Sequence, residues 1–323
     1  MVSKSNNHAI GICTEYDVAV SSVLAVCNKR EINLTTSSPT NLINRRADEK
    51  LKYCDFDANI FHEVWSPSGA REEVIDAAAQ HGVVVLVVPG VSLDDSARGL
   101  ELAKLDARIV TTVGCHPYMA TEPCSEQIRC DFLRLAEDPY CMAIGECGLD
   151  YSEGFPAREL QTAWFEFQVE MACQLQKPLF LHVRQAHDDF LAIMGSHGFG
   201  ANLPAPLLPC CVHCFTGTTD ELNQYLDWGF YIGLTGHIFS LPKEELVEWL
   251  QLITLDKLVI ETDAPYMGFK GCRQSEKSKK QSKFPNVPAA LPLIAKAIAA
   301  AGGWSEGEVA QRTMANSLRF FGK

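Results

Sequence analysis

Side chains that can hold a metal or move a proton recur along this chain at the ends of apolar runs. The stretch MAIGECGLDY, residues 142–151, sets Glu146 directly behind Met-Ala-Ile-Gly. The pattern repeats with Asp55, Asp57 and Asn59 in YCDFDANI, His116 after RIVTTVGC, His182 in PLFLHVR, His213 in LLPCCVHC and Asp263 in LVIETDAP. A polar group buried at such a place is costly unless it finds a partner, and one shared partner accounts for all of them. Imidazoles and carboxylates converging at one point suit divalent cations with mixed nitrogen and oxygen ligands. Glu146 is the candidate bridge. A carboxylate can hold two ions about 3.5 to 4 Å apart, the spacing that activates a water and stabilises both oxygens in a phosphoryl displacement.

Residues so far apart in sequence need a scaffold that gathers strand ends. From residue 53 short apolar runs alternate with longer helix-like stretches. The runs are YCDFDANI, VVVLVVPG, ARIVTTVGCHP, YCMAIGECG, KPLFLHVR, PLLPCCVHCF, GFYIGLTG and KLVIETDAP, eight in all. Between them lie Ser68 to His81, Leu93 to Asp106, Ala157 to Gln176 and Pro242 to Leu252, with helix N-caps expected at Ser68, Ser92 and Thr219. Nearly continuous apolar strands read as a parallel sheet covered by helices. Eight of them predict an α/β fold of the closed (β/α)8 TIM-barrel type, with a doubly wound open sheet as the alternative. In a barrel the chemistry collects at the carboxyl ends of the strands, where these polar residues fall.

The chain has 323 residues, of which 47% are hydrophobic and 21% charged, the balance of a globular protein. Its net charge of −12 excludes broad adhesion to nucleic acid or acidic membranes, so any such contact must be local or metal-assisted. Thirteen scattered cysteines in a chain of this length read as buried thiols in a reducing compartment. CCVHC (Cys210, Cys211, Cys214) lacks a second pair at zinc-finger spacing. The apolar run at residues 18–27 is preceded by Glu15 and Asp17 and is too short to span a membrane, so the expectation is an intracellular protein without membrane attachment, cytoplasmic or nuclear. Residues 1–50 read as an N-terminal extension with no assignable function, and residues 51–323 as the barrel domain. No glycine loop follows a strand in the way a nucleotide-binding fold needs, which excludes ATP and NAD readings.

The segments AIGECGLDY, LFLHVRQAHDDF, VHCFTG and LVIETDAPY, with GCHP, YIGLTG, PNVP and the closing ANSLRFFG, stand in the order and spacing of the TatD-like metal-dependent deoxyribonucleases. The resemblance covers Tyr53 to Gly322. It implies a TIM barrel of the amidohydrolase type, two divalent metal ions, and a nuclease that in this family often degrades DNA from the 3′ end. Position by position it implies that Glu146, His182, His213 and Asp263 ligate metal and that His116 stands beside the substrate phosphate. Many relatives carry a His-x-His pair on the first strand where this chain has Asp57-Ala58-Asn59; the branch of the bacterial founding member also lacks that pair and has Gly-x-Asn. Asp57 and Asn59 with Glu146 and Asp263 would then form an oxygen-rich first site, favouring Mg²⁺ or Mn²⁺ over Zn²⁺.

The reaction these residues suit is hydrolysis of a phosphodiester by a hydroxide generated at the metals. Catalysis would rest on Glu146, on Asp263 as general base and on His116 as donor to the phosphate. Arg184 is a candidate phosphate contact, the alternative being a salt bridge to Asp188 or Asp150. The segment KGCRQSEKSKKQSK, residues 270–283, carries six basic residues and one acid, so Lys277, Lys279, Lys280 and Lys283 are candidates for gathering a DNA strand. Tyr151, Phe155, Tyr266 and Phe269 lie near strand ends, where a ring could stack on a base. The expected substrate is DNA, single-stranded or at its 3′ ends. Two other functions compete: a different metal-dependent hydrolase on the same barrel, such as one acting on D-aminoacyl-tRNA, and a non-catalytic binding barrel.

Overall fold

The structure, a computed structural model, describes residues 50–65, 70–201, 203, 206–273 and 286–322. Its centre is one sheet of eight parallel strands: β1 (Tyr53–Asp55), β2 (Val83–Val88), β3 (Ile109–Val113), β4 (Cys141–Asp150), β5 (Leu179–Arg184), β6 (Cys210–Val212), β7 (Tyr231–Leu234) and β8 (Leu258–Ile260), hydrogen-bonded in chain order. Just past the named strand ends, β1 meets β8. Phe56 N–H donates to the Ile260 carbonyl at 3.1 Å, Asp263 N–H to Asp57 at 2.9 Å and Asn59 N–H to Ala264 at 2.8 Å. The barrel is thus closed at the very residues that carry the candidate acids, and the open-sheet alternative is set aside.

Helices α1 (Ala70–Gln80), α2 (Leu93–Leu105), α3 (Glu126–Ala136), α4 (Arg158–Leu175), α5 (His187–Ser196), α6 (Thr219–Asp227), α7 (Lys243–Lys257), α8 (Leu291–Gly302) and α9 (Glu306–Phe320) cover the outside. Their starts follow local chemistry. Ser92 accepts from Asp95 N–H at 3.1 Å and caps α2 as the sequence predicts. For α6 the cap is Thr218, one residue before the expected Thr219, because Thr218 and Glu221 satisfy each other's backbone N–H groups in a capping box. α7 runs beyond the expected Leu252 to Lys257, with a break at Thr254, whose φ is 55°. Ser68, the expected cap of the first helix, lies outside the described residues.

Two apolar layers result. One, from Tyr53 to Ala310, fills the space between strands and helices. The other lies inside the barrel, where Phe56 stacks on Phe180 at 5.5 Å between centroids and meets Phe320 and Phe321 of the chain's end at 5.1 and 5.6 Å. These rings form a floor beneath the strand carboxyl ends. Cys210 and Cys211 alternate between the two layers and are both buried, so these two thiols of CCVHC serve packing. Among the described residues no helix is long and apolar enough to cross a membrane.

Candidate metal centre

β4 carries Glu146 into the middle of the barrel mouth. This strand is buried along its whole length, and two of its glycines have backbone angles that L side chains avoid, Gly145 at φ 137° and Gly148 at φ 146°. Both press against β5: a Cβ on Gly145 would strike the Phe180 carbonyl, and one on Gly148 would strike that of His182. The close approach sets Glu146 directly against the histidine of the neighbouring strand. One carboxylate oxygen, Glu146 Oε1, lies 3.2 Å from His116 Nε2, 3.1 Å from His182 Nδ1 and 2.8 Å from His213 Nε2. Burial alone would push this carboxyl up, but His213 and His116, with hydrogen bonds from His116 and His182, outweigh it and hold Glu146 well below the usual carboxylate range.

The three imidazoles differ in what holds them. His116 Nδ1 accepts from the Tyr118 backbone N–H at 3.1 Å. Burial pushes the ring's pKa down to about 4, so it is neutral and its one proton sits on Nε2, facing Glu146. A ring in that tautomer donates a hydrogen bond and has no lone pair to give a metal through Nε2. His182 has the reverse arrangement: its Nε2 lies 3.0 Å from Asp150 Oδ2, which takes that proton and leaves the Nδ1 lone pair aimed at the centre. Burial lowers its pKa, but the contacts with Asp150 and Glu146 raise it more. His213 puts Nε2 on Glu146 and Nδ1 3.1 Å from Asp57 Oδ2 and 3.7 Å from Glu261 Oε1.

Carboxylates crowd the other side. Asn59 Nδ2 donates to Asp57 Oδ1 at 3.3 Å and to Asp263 Oδ1 at 2.9 Å, tying the first strand's acid to the last strand's. Burial raises the carboxyls of both, Asp57 to about 7 and Asp263 to about 8, with neighbouring carboxylates adding to the rise. Glu261, also buried, is raised well above its ordinary range by burial. Asp55 faces away from the cluster: it takes the Thr262 N–H at 2.7 Å and the Thr262 hydroxyl at 2.6 Å and closes the β1–β8 seam.

The donor set fits divalent cations. Glu146 belongs to two groups whose ligand atoms lie within 4.8 Å of one another, one with His116 and His182 and one with Asp57 and His213. Asp57 Oδ2, His213 Nδ1 and Glu261 Oε2 are buried without an aligned hydrogen-bond partner. Among the described residues no lysine or arginine pairs with Asp57, Glu146 or Asp263. Burial lowers the His213 pKa, but Glu146, Asp57 and Glu261 raise it well above its ordinary range, so this ring supplies positive charge. It faces four buried acids, Asp57, Glu146, Glu261 and Asp263, and the acid left over calls for charge from outside. The His116 tautomer removes its Nε2 as a donor in the first group, leaving Glu146 and His182, whose Nδ1 also lies 3.3 Å from His213 Nε2, while the second group is Asp57, Glu146 and His213.

Above the centre opens a cleft of about 870 Å³, lined by His116, Glu146, His182, Arg184, His213 and Asp263 among others. Arg184 is exposed and forms no salt bridge with Asp150 or Asp188; Asp150 is engaged by His182. Tyr266 and Phe155 line the same cleft, whereas the hydroxyl of Tyr151 donates to Asp189 at 2.7 Å. His187 bonds the Tyr225 hydroxyl at 2.8 Å, a local role. Lys277, Lys279, Lys280 and Lys283 lie outside the described residues. Sequence reasoning did not single out Asp150 as a partner of His182, nor Glu261 at all. An acid inside each apolar run, GLD and VIETD, is the only signal the sequence offers for them.

A parallel (β/α)8 barrel with imidazoles and carboxylates converging at its strand ends is the build of a metal-assisted hydrolase. Residues 54–322 match the family described as TatD related DNase. The chain is 36% identical over 257 residues to the 3′-5′ ssDNA/RNA exonuclease TatD of Erwinia tasmaniensis, covering 78% of this chain and 93% of that one. Against the enzyme of the same description from Salmonella typhimurium the identity is 34%, covering 78% and 92%. Among solved structures, the TatD homologue YJJV of Escherichia coli superposes with a TM-score of 0.72 at 25% identity, covering 85% of this chain and all of that one. A TatD family hydrolase of Entamoeba histolytica gives 0.70 at 26%, covering 84% and 98%. The chain belongs to the TatD family.

Proposed function

We propose that this protein is a metal-dependent deoxyribonuclease that hydrolyses phosphodiester bonds of single-stranded DNA, shortening the strand from its 3′ end. The observation that carries the reading is the single oxygen of Glu146 shared among three imidazoles at the floor of an open cleft. The curated relatives are described as 3′-5′ ssDNA/RNA exonucleases, which supports the polarity and the strand type. Glu146, His182 and His213 would hold one divalent cation, and Asp57, Glu146 and Asp263 a second, with Mg²⁺ or Mn²⁺ favoured by the oxygen donors of the latter. Such cations neutralise phosphate charge and acidify a coordinated water.

The chain's own residues do the rest. His116 presents its Nε2 proton to the centre and donates to a phosphate oxygen as charge builds on it. Asp263 lines the cleft and is held by Asn59 through Oδ1; its carboxyl, raised to about 8 by burial, would act as the base once a neighbouring cation restores its charge. Arg184, exposed on the cleft wall, meets another phosphate oxygen.

The test is cleavage of single-stranded DNA labelled at its 5′ end, with Mg²⁺, Mn²⁺, Zn²⁺ or EDTA, for the wild type and Glu146→Ala. The expected result is a ladder that shortens from the 3′ end and is abolished by EDTA and by the substitution. Intact DNA under every metal, from folded protein, would overturn the reading and make D-aminoacyl-tRNA the next substrate to try.

A further inference from the structure

Beside the metal-site cleft lies a second hollow of about 470 Å³, walled by the turn after β7 and the segment after β8. His237 and Met267 line both spaces, so the two adjoin. The hollow contains an exposed large ring: Phe239 is 46% exposed. Its inner face stacks on Phe269 with centroids 4.1 Å apart and planes 20° from parallel. Phe269 is itself packed against the main core, and Gly236 makes room for it, since a Cβ there would come within 2.6 Å of the Phe269 ring. Phe239 is therefore a propped ring with one open face. A single exposed apolar residue is ordinary; one braced from behind, at the edge of a cleft and sharing its hollow with Lys270, has the build of a ligand platform. Lys270 lines the same hollow and Arg184 the adjoining cleft, and among the described residues neither makes an ion pair.

We propose that Phe239, braced by Phe269 and flanked by Lys270, is a stacking subsite for an unpaired nucleobase of the substrate strand, neighbouring the nucleotide whose phosphate occupies the metal centre. The inference rests on the nuclease reading above and extends it. An aromatic face accepts any base, so the subsite adds affinity without sequence preference. The same face is closed to a base that is paired and stacked within a duplex, so the platform selects single strands. Lys270 gives the adjacent phosphate a point charge in a protein whose net charge is otherwise repulsive to nucleic acid.

The test uses 5′-labelled single-stranded oligonucleotides in which one abasic residue is walked inward from the 3′ end, with wild type, Phe239→Ala and Phe239→Trp. Phe239→Ala is expected to raise KM for the intact strand about 5- to 100-fold, the range of one base–aromatic stack, with kcat within about twofold and an unchanged melting temperature. Phe239→Trp should restore KM. In the wild type one abasic position should raise KM, and in Phe239→Ala that sensitivity should vanish. A wild-type KM in Phe239→Ala, or abasic sensitivity that survives the substitution, would overturn the subsite alone. Wild-type protein that leaves every strand intact would take down the nuclease reading and the subsite with it.

Discussion

At the scale of single residues, each imidazole at the centre has its chemistry set by the atom on its far side. The Tyr118 amide makes His116 a donor toward Glu146, while Asp150 engages His182 Nε2 and leaves Nδ1 facing the centre. Asp150 is itself fixed, taking the Ser152 N–H at 2.9 Å. Replacing it by Asn removes the charge that favours the proton on His182 Nε2 and allows the ring the other tautomer. Partners of metal-ligating histidines typically cost 10- to 100-fold in metal affinity or activity when lost. Asp150→Asn should therefore weaken Mn²⁺ binding by roughly that factor in a calorimetric titration, with cleavage recovering at high Mn²⁺. An unchanged affinity would show that Asp150 only packs. The ring of acids and histidines was legible in the sequence because each member interrupts an apolar run. The Asp150–His182 pair was not, since it joins residues 32 apart whose meeting depends on strand register.

That register belongs to the elements. Gly148 pairs with His182 and Asp150 with Arg184 across the β4–β5 seam, and Asp150 reaches diagonally to the His182 ring instead of forming a salt bridge with its direct partner Arg184. The alternation of apolar runs and amphipathic stretches revealed all eight strands, because a fully buried strand leaves a continuous hydrophobic trace. It could not reveal how closely two strands approach, which here depends on glycine. Gly148→Ala should lose about 1 to 3 kcal/mol of stability, since φ at 146° and the His182 carbonyl both oppose a Cβ. Any relaxation moves β5 away from Glu146, so metal-dependent cleavage should fall further than the melting temperature alone would explain. Comparison of denaturant midpoints and cleavage rates with those of a matched destabilising change distant from the centre would separate the two effects. The helix starts show the same limit: Ser92 was readable from its side chain, while Thr218 and Thr219 are equivalent until Glu221 chooses between them.

For the molecule as a whole, the first strand and the end of the last helix meet beneath the candidate metal centre. Phe320 and Phe321, almost the last residues, pack on Phe56 just past β1, and Phe180 of the same aromatic floor lies 5.0 Å from the His213 ring. An apolar floor under a group of acids is electrostatically costly, as the upward shifts of Asp57, Asp263 and Glu261 through burial attest. The barrel therefore holds a cluster that folding makes unfavourable and that a bound cation would relieve, which would couple stability to metal. A ligand that binds only the folded state adds about 2.7 kcal/mol at a hundred times its dissociation constant. For a body of this size each kcal/mol is worth about 2 to 4 °C. Thermal unfolding from EDTA into rising Mn²⁺ should thus move the midpoint upward by roughly 5 to 10 °C and keep climbing with the logarithm of the concentration. Glu146→Ala, lacking the carboxylate common to both groups, should lose most of that rise. A midpoint indifferent to Mn²⁺ in the wild type would mean that the buried acids are neutralised by protons alone, and the two-position assignment would fall with it.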